Sequence, residues 1–538
     1  MSYLNNLLVI FSKQICIILW HFFNHTVSIG QSFSKSPLSN LNIFLSSVIL
    51  LNLAEWCELD EILYSAETNE QYLQFAGYDY DRQNIEHLAK MKLLISEIFV
   101  RTFSKPKALL LSSIENISES ETKPLELKLH ELRGTKVKSK DFKFNGKQVN
   151  WNNWRQFNSH EKDHKKRKIV YDEFVKKTKY ISPLINSRFR RIREIYSNFS
   201  DKVNGASKKP LTPLDGYLLS EKIGLLDLKK LITDLGQRAE KPFRNEMQYA
   251  SKLIGKDVEY YDDFYFFRNR IFLDIEKYFS KTNPVRTVRK TLELIGFDFS
   301  RIKFDIADRP NKYPSPICFF VKIPEDIRIL YKSESPYFDL QSCYHETGHA
   351  IHASSIDTKL NYWEKYKFPM GVAEIFSILI ERLTRNPLYL KDIGITNEKA
   401  LSEIVLRDKF MELFFIVFYA ANSLMKMDFW KKDLTIFESS RLYERLIKRY
   451  MGIEVPGEYW MLHHILPESI MYVPSYMIAA IRAAELERHL VNSFSEKWWI
   501  EPAAGKMLKK IMSKGDDINL SEFSKLDQDI FMKEIISR

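Results

Sequence analysis

In the stretch CYHETGHAIH, Cys343 to His352, two histidines stand four residues apart with a glutamate directly after the first: His345, Glu346 and His349. On a helix, residues four apart share one face, so both imidazoles can bind one ion. Glu346 is displaced around the helix toward the same side, where it can reach a water molecule beside the ion rather than the ion itself. His352 continues the stripe, but two turns separate it from His345, about 10 Å along the axis. One ion cannot take all three, so His352 reads as a residue around the site or a pocket wall. The metzincin extension, a glycine and a third histidine further along, is absent, because those slots hold His352 and Ser355.

One helix supplies half a site. Gly371–Leu383, GVAEIFSILIERL, is apolar nearly all round, as a buried helix is, yet it contains Glu374. A buried carboxylate without a partner costs several kcal/mol. A zinc ion is a natural partner, and an ion pair with Arg382 or Lys367 is the structural alternative. Ser377 and Glu381 share the stripe of Glu374 at i+3 and i+7. Two histidines, one glutamate and an open fourth position make a catalytic zinc set rather than a structural one, so about one zinc per chain is expected. Zinc there would acidify a water molecule and polarise a carbonyl, with Glu346 accepting and relaying the proton. Those are the parts needed to hydrolyse an amide. Gly348 costs about 1 kcal/mol inside a helix, so something is expected to pack closely against it.

The elements that must position these groups are mostly helices. Only 17 glycines and 19 prolines punctuate 538 residues, which favours long regular elements. Helical periodicity runs from about Asn158, where Asn-x-x-Glu resembles a capping box, and resumes in Tyr217–Met247 and Tyr260–Ser280. Gly205–Gly216 is a loop. Ile317–Ile323 and Ile327–Lys332 are rich in β-branched and aromatic residues around Pro-Glu-Asp and predict an antiparallel hairpin just before the histidine segment. The expected fold is mainly α with a small antiparallel β-sheet beside the HExxH helix. Three segments are expected: residues 1–60, an apolar extension; 61–153, a helical and basic segment; and 154–538, with a catalytic core at about 300–500.

The net charge is +11. Much of the basic excess lies in Lys128–Val170, which reads as a solvated linker and an exposed helix start. No RNA-binding or helix-turn-helix signature accompanies it, so nucleic acid is not an expected partner. Cys16, Cys57, Cys318 and Cys343 form no CxxC pair, which fits a reducing, cytoplasmic setting. Leu7–Phe23 is nearly all apolar but carries Lys13, and Ile43–Ala54 is too short to span a bilayer. Residues 7–54 are therefore expected to be a buried or mis-started extension, a membrane anchor or signal, or a functional amphipathic helix, so membrane contact through them stays open.

These motifs resemble the thimet oligopeptidase and oligoendopeptidase F family of zinc metallopeptidases, which carries HExGH on one helix and a glutamate ligand on the next. HETGH and the Glu374 of GVAEIFS fall at that spacing, with 24 residues between His349 and Glu374. The resemblance covers about Trp154 to the C-terminus and is strongest over Asp308–Leu383. It implies two helical lobes around a deep central cleft, metalloendopeptidase activity on short unstructured peptides, and His345, His349 and Glu374 as zinc ligands. It further implies that Tyr472 and Tyr476, in MYVPSYM, donate to the oxyanion of the scissile carbonyl, accompanied by a histidine that is either His463 or His464. Thr347 and Ser475 depart from the family pattern, which leaves the chemistry intact and bears on substrate preference. The strand Ile317–Ile323 is expected either to hold substrate backbone along its edge or to serve as an ordinary core hairpin. A zinc carboxypeptidase of a related helical fold, an inactive peptide-binding protein and a membrane-associated scaffold are the alternatives.

Overall fold

Helix starts are encoded locally. Asn52, Thr212 and Thr435 each accept a backbone N–H of the first turn that follows, and a carboxylate three residues on accepts the cap's own N–H. Two otherwise unpaired donors are satisfied at each start. The computed structural model describes residues 52–537 apart from 206–208, 264, 266–274, 310, 314, 464–465 and 468.

The described chain is mainly helical. Its helices of eight or more residues are α1 (Leu53–Ala76), α2 (Arg82–Thr102), α3 (Lys107–Thr135), α4 (His164–Lys177), α5 (Ser182–Asn198), α6 (Pro213–Ser220), α7 (Leu225–Ile254), α8 (Pro284–Leu294), α9 (Pro336–Ser355), α10 (Met370–Arg382), α11 (Glu398–Lys432), α12 (Ile436–Met451), α13 (Val473–Ser493), α14 (Pro502–Met512) and α15 (Gln528–Ser537). The strands are β1 (Lys138–Phe144), β2 (Lys147–Asn150), β3 (Ile302–Asp305), β4 (Ile317–Lys322) and β5 (Asp326–Leu330).

The expected hairpin is β4–β5, antiparallel with Ile317 opposite Leu330. The sheet is not purely antiparallel, however. β3 joins the free side of β5 in parallel, giving the order β3-β5-β4 and leaving β4 at an edge.

The basic stretch Lys128–Val170 is not a linker. It comprises the end of α3, the hairpin β1–β2, a short helix Trp154–His160 and the start of α4. Val137, Ser139 and Val149 turn inward while Lys138, Lys140, Lys143 and Lys147 face water. That alternation is what a half-covered hairpin needs. Asn158 is no cap, since it is buried inside the short helix; α4 begins instead on Asp163, whose side chain accepts the N–H of Lys165. The helical run over Tyr217–Met247 breaks between α6 and α7, where Lys222 takes a positive φ of 55°.

Two large apolar clusters organise the interior. One includes Trp56, Trp154, Trp430 and Trp460, and the other Ile327, Leu340, Ile351, Phe376 and Trp498 around the three-stranded sheet, α9, α10 and α14. A small third cluster joins Ala76 of α1 to Phe319 and Val321 of β4. α1 thus packs on the hairpin, and a division of the chain at residue 60 falls inside that helix. For the site, the decisive packing is that of α10, which lies against both α9 and α13.

The apolar run Leu7–Phe23 and residues 43–51 of the second run lie outside the described residues. Among the described residues, no helix is long and apolar enough to cross a membrane.

Candidate metal centre

α9 is held rigidly before its histidines begin. Pro336 occupies its first turn, Asp339 accepts the N–H of Glu334 at 2.9 Å, and Glu276 accepts the N–H of Tyr337 at 2.7 Å. Cys343, Tyr344, Thr347, Ala350 and Ile351 are fully buried, so one turn of choice remains for polar side chains. α10 is apolar on nearly every side and crosses α9 at Gly348. A Cβ there would sit 2.5 Å from the Cα of Ser377 and against the carbonyl oxygen of Phe376. The close packing expected at Gly348 is therefore backbone on backbone, and it brings Glu374 within reach of the histidine stripe.

One potential ligand atom from each of His345, His349 and Glu374 lies within 4.8 Å of the other two. Oε2 of Glu374 is 3.4 Å from Nε2 of His345 and 3.4 Å from Nε2 of His349. Tetrahedral zinc with bonds of about 2.0–2.1 Å needs ligand atoms about 3.3–3.4 Å apart. The donor set, two neutral-capable imidazoles and one carboxylate, is also what zinc takes. The donor set and the two separations from Glu374 fit the ion. The ion-pair alternative for Glu374 is not realised, because Arg382 pairs with Glu487 at 2.5 Å and Glu412 at 3.6 Å, and Lys367 pairs with Asp60 at 3.5 Å.

The electrostatics follow from this geometry. Burial would raise the Glu374 carboxyl, but the two histidines hold it well below the usual carboxylate range. Burial opposes the positive charge on His345, and its hydrogen bonds to Glu374 and Glu381 outweigh that and raise it well above an ordinary histidine. Glu346 differs. Burial pushes its carboxyl up, against the pull of the two histidines and of the Cys318 N–H that it accepts. A carboxyl biased toward taking up a proton is suited to accept one from a neighbouring donor and pass it on. The Cys318 contact also fixes the edge strand β4 beside Glu346, with Phe320 of the same strand 6.5 Å, ring to ring, from His349.

The C-terminal tyrosines reach the same place. Tyr472, just before α13, has its hydroxyl 3.4 Å from Oε1 of Glu374, and Tyr476 one turn on has its hydroxyl 3.0 Å from that of Tyr472. Burial, and then the Glu374 charge, push Tyr472 up to about 12 and Tyr476 well above the ordinary tyrosine range. Both therefore stay protonated donors at neutral pH. His463 packs against Phe418 and Tyr459, with its Nε2 3.4 Å from the Tyr443 hydroxyl. His464 lies outside the described residues.

His352 stands apart from the three. It is 1% exposed, packs on Phe376 and Phe368 with ring centroids 4.6 and 5.2 Å away, and its Nε2 makes no hydrogen bond. Burial, and then the His349 charge, drive it down to about 3, so it is a neutral ring packed behind the ligand face. Two partners escape a reading of the sequence. Glu381 belongs visibly to the Glu374 stripe, but its contact with Nδ1 of His345 depends on how α9 and α10 cross. Tyr419 stacks on Tyr476 at 5.9 Å from the middle of the long helix α11, and no local pattern marks it.

Comparison of the chain with known protein families and with curated proteins finds no match.

Proposed function

We propose that this protein is a zinc-dependent peptidase that hydrolyses short unstructured peptides, with His345, His349 and Glu374 as ligands. The observation that carries the reading is the single carboxylate oxygen of Glu374 at 3.4 Å from both imidazoles, with Glu346 on the same helix as those imidazoles. A purely structural zinc site has no use for a buried, proton-accepting carboxyl next to its ligands.

When bound, zinc would polarise the scissile carbonyl and acidify the attacking water. Glu346 takes the proton from that water and carries it to the leaving amine. Tyr472 and Tyr476 donate toward the carbonyl oxygen as negative charge develops on it, a contribution of about 3–4 kcal/mol for a well-placed donor. Among the described residues β4 is an edge strand of its sheet and runs beside Glu346, which favours an extended peptide as substrate. A two-lobed body around a deep cleft, which would exclude folded proteins, belongs to the same reading. So does a cytoplasmic setting, supported by the free thiols of Cys57, Cys318 and Cys343.

Glu346→Gln tests the mechanism. The variant is expected to keep zinc at the wild-type ratio and to lose peptide hydrolysis by a factor of about 10³ or more. Hydrolysis of an unstructured peptide at the wild-type rate would sink the proposal. Product analysis on peptides blocked at the C-terminus separates endopeptidase from carboxypeptidase action, because only the former cleaves them.

A further inference from the structure

We propose that Glu221, far from the metal ligands in sequence, is a positioning residue that sets the Tyr472–Tyr476 pair against Glu374, an inference that rests on the peptidase reading. Glu221 follows α6 and is 4% exposed. Its Oε1 accepts the N–H of Gly371 at 2.9 Å and the hydroxyl of Ser475 at 2.7 Å. Gly371 lies in the first turn of α10, three residues before Glu374, and Ser475 lies in the first turn of α13 between the two tyrosines. One carboxylate oxygen thus joins the starts of the two helices whose side chains must meet.

The junction is tightly specified. A Cβ on residue 371 would meet Oε2 of Glu221 at 2.4 Å, so a side chain there would displace the carboxylate from its present position. The carbonyl of the same Gly371 is taken from the other side, by Arg482 of α13 at 2.8 Å. Tyr217 places its hydroxyl 3.1 Å from Oγ of Ser475. The N–H and the C=O of Gly371, in the first turn of the ligand helix, are therefore both held from α13, the C=O directly by Arg482 and the N–H through Glu221 and Ser475.

Capping alone does not require such an arrangement. A helix start is satisfied by an Asn or Thr one residue before it, as at Asn52 and Thr435. A buried carboxylate brought from a distant segment is a costly cap, and Oε2 of Glu221 accepts no hydrogen bond at all. What it adds over a local cap is registry between α10 and α13, and the distance it registers is that between Glu374 and the Tyr472 hydroxyl.

The test is a cycle on the full chain, with zinc affinity by competition titration and kcat and KM on a quenched fluorescent peptide. Ser475→Ala removes one hydroxyl and with it the hydrogen bond from α13 to Glu221. It is expected to lower kcat about tenfold, with zinc affinity and KM within about twofold of wild type. In a Tyr472→Phe/Tyr476→Phe background the same change is expected to alter kcat by less than about twofold, because the groups it positions are gone. Glu221→Ala is expected to weaken zinc about tenfold as well, and Glu221→Gln, which keeps the acceptor, to recover most of both losses. The same factor for Ser475→Ala in both backgrounds overturns the inference by reducing the link to general structure. If the wild type hydrolyses no peptide, the peptidase reading falls, and the zinc titration decides the link alone: equal affinity in Glu221→Ala and wild type overturns it.

Discussion

Oε2 of Glu381 lies 2.9 Å from Nδ1 of His345, while Oε2 of Glu374 lies 3.4 Å from Nε2 of the same ring. The imidazole is held at both nitrogens by two carboxylates that stand two turns apart on α10. With Nδ1 donating to Glu381, it is the Nε2 proton, now shared with Glu374, that a metal would displace, leaving the Nε2 lone pair for the ion. Glu381→Ala should therefore weaken zinc binding by about 10- to 100-fold without removing any ligand. Competition with a chromogenic chelator measures this, and unchanged affinity would show that the contact does not orient the ring.

Gly348 carries a second prediction. Alanine normally stabilises a helix interior by about 1 kcal/mol over glycine. Here its Cβ would meet backbone atoms of Phe376 and Ser377, which cannot rotate away as a side chain could. Gly348→Ala is expected to reverse the usual sign and destabilise by about 1–3 kcal/mol, with zinc affinity falling as α10 is pushed off the histidines. Urea unfolding of the zinc-loaded and zinc-free chain separates the two effects. A variant as stable as wild type would mean that α9 and α10 do not touch at this point.

Tyr476 should act on turnover rather than on metal. Its hydroxyl hydrogen-bonds that of Tyr472, which in turn reaches Glu374, and its ring stacks on Tyr419. Tyr476→Phe keeps the stack and removes the donor. Turnover should fall by about tenfold or more, with zinc content and KM nearly unchanged. Steady-state kinetics beside metal analysis checks this; an unaltered kcat leaves Tyr476 as packing only.

What the sequence discloses and what it hides divides along the range of the interactions. The His345–His349 pair is legible because four residues on a helix fix a distance regardless of the rest of the fold. Glu374 is legible because a carboxylate in an apolar helix needs a partner, and Gly348 because glycine there has a cost that packing must offset. The β4–β5 hairpin shows in its β-branched and aromatic residues. β3 does not, since four residues carry no usable period, and its parallel pairing with β5 is decided by the whole chain. The β1–β2 hairpin does carry a signal: Asn145 and Gly146 both take positive φ, 49° and 77°, as a two-residue hairpin turn demands. The lysines on its outer face conceal the alternation, so the stretch passes for a solvated linker. Glu221 is invisible for a different reason. Nothing near LLSEKIG says that its glutamate ends between two helices 150 and more residues away.

A last prediction concerns Lys426, in the interior of α11. The side chain is 2% exposed, its amine makes no hydrogen bond, and it lies 4.2 Å from the ring centroid of Phe189 and 5.5 Å from that of Trp430. Burial, and then the charges of Arg188 and Arg193, hold it well below the ordinary lysine value of 10.5. Unfolding returns the amine to water, where it takes up a proton at any pH below that value. The unfolded chain then binds more protons than the folded one, so this residue makes stability rise with pH from its depressed folded value up to the unfolded one. Lys426→Met keeps the length and the aromatic contacts and abolishes the titration. The variant should unfold at a higher temperature than wild type at about pH 7, and the gap should narrow toward about pH 9.5, because the free energy released when the unfolded amine takes up its proton shrinks as pH approaches 10.5. Thermal unfolding of both proteins across that range checks the sign, because every other titrating group is common to the two. A gap that is constant with pH would show that Lys426 keeps its proton in the folded state, held by the aromatic faces around it.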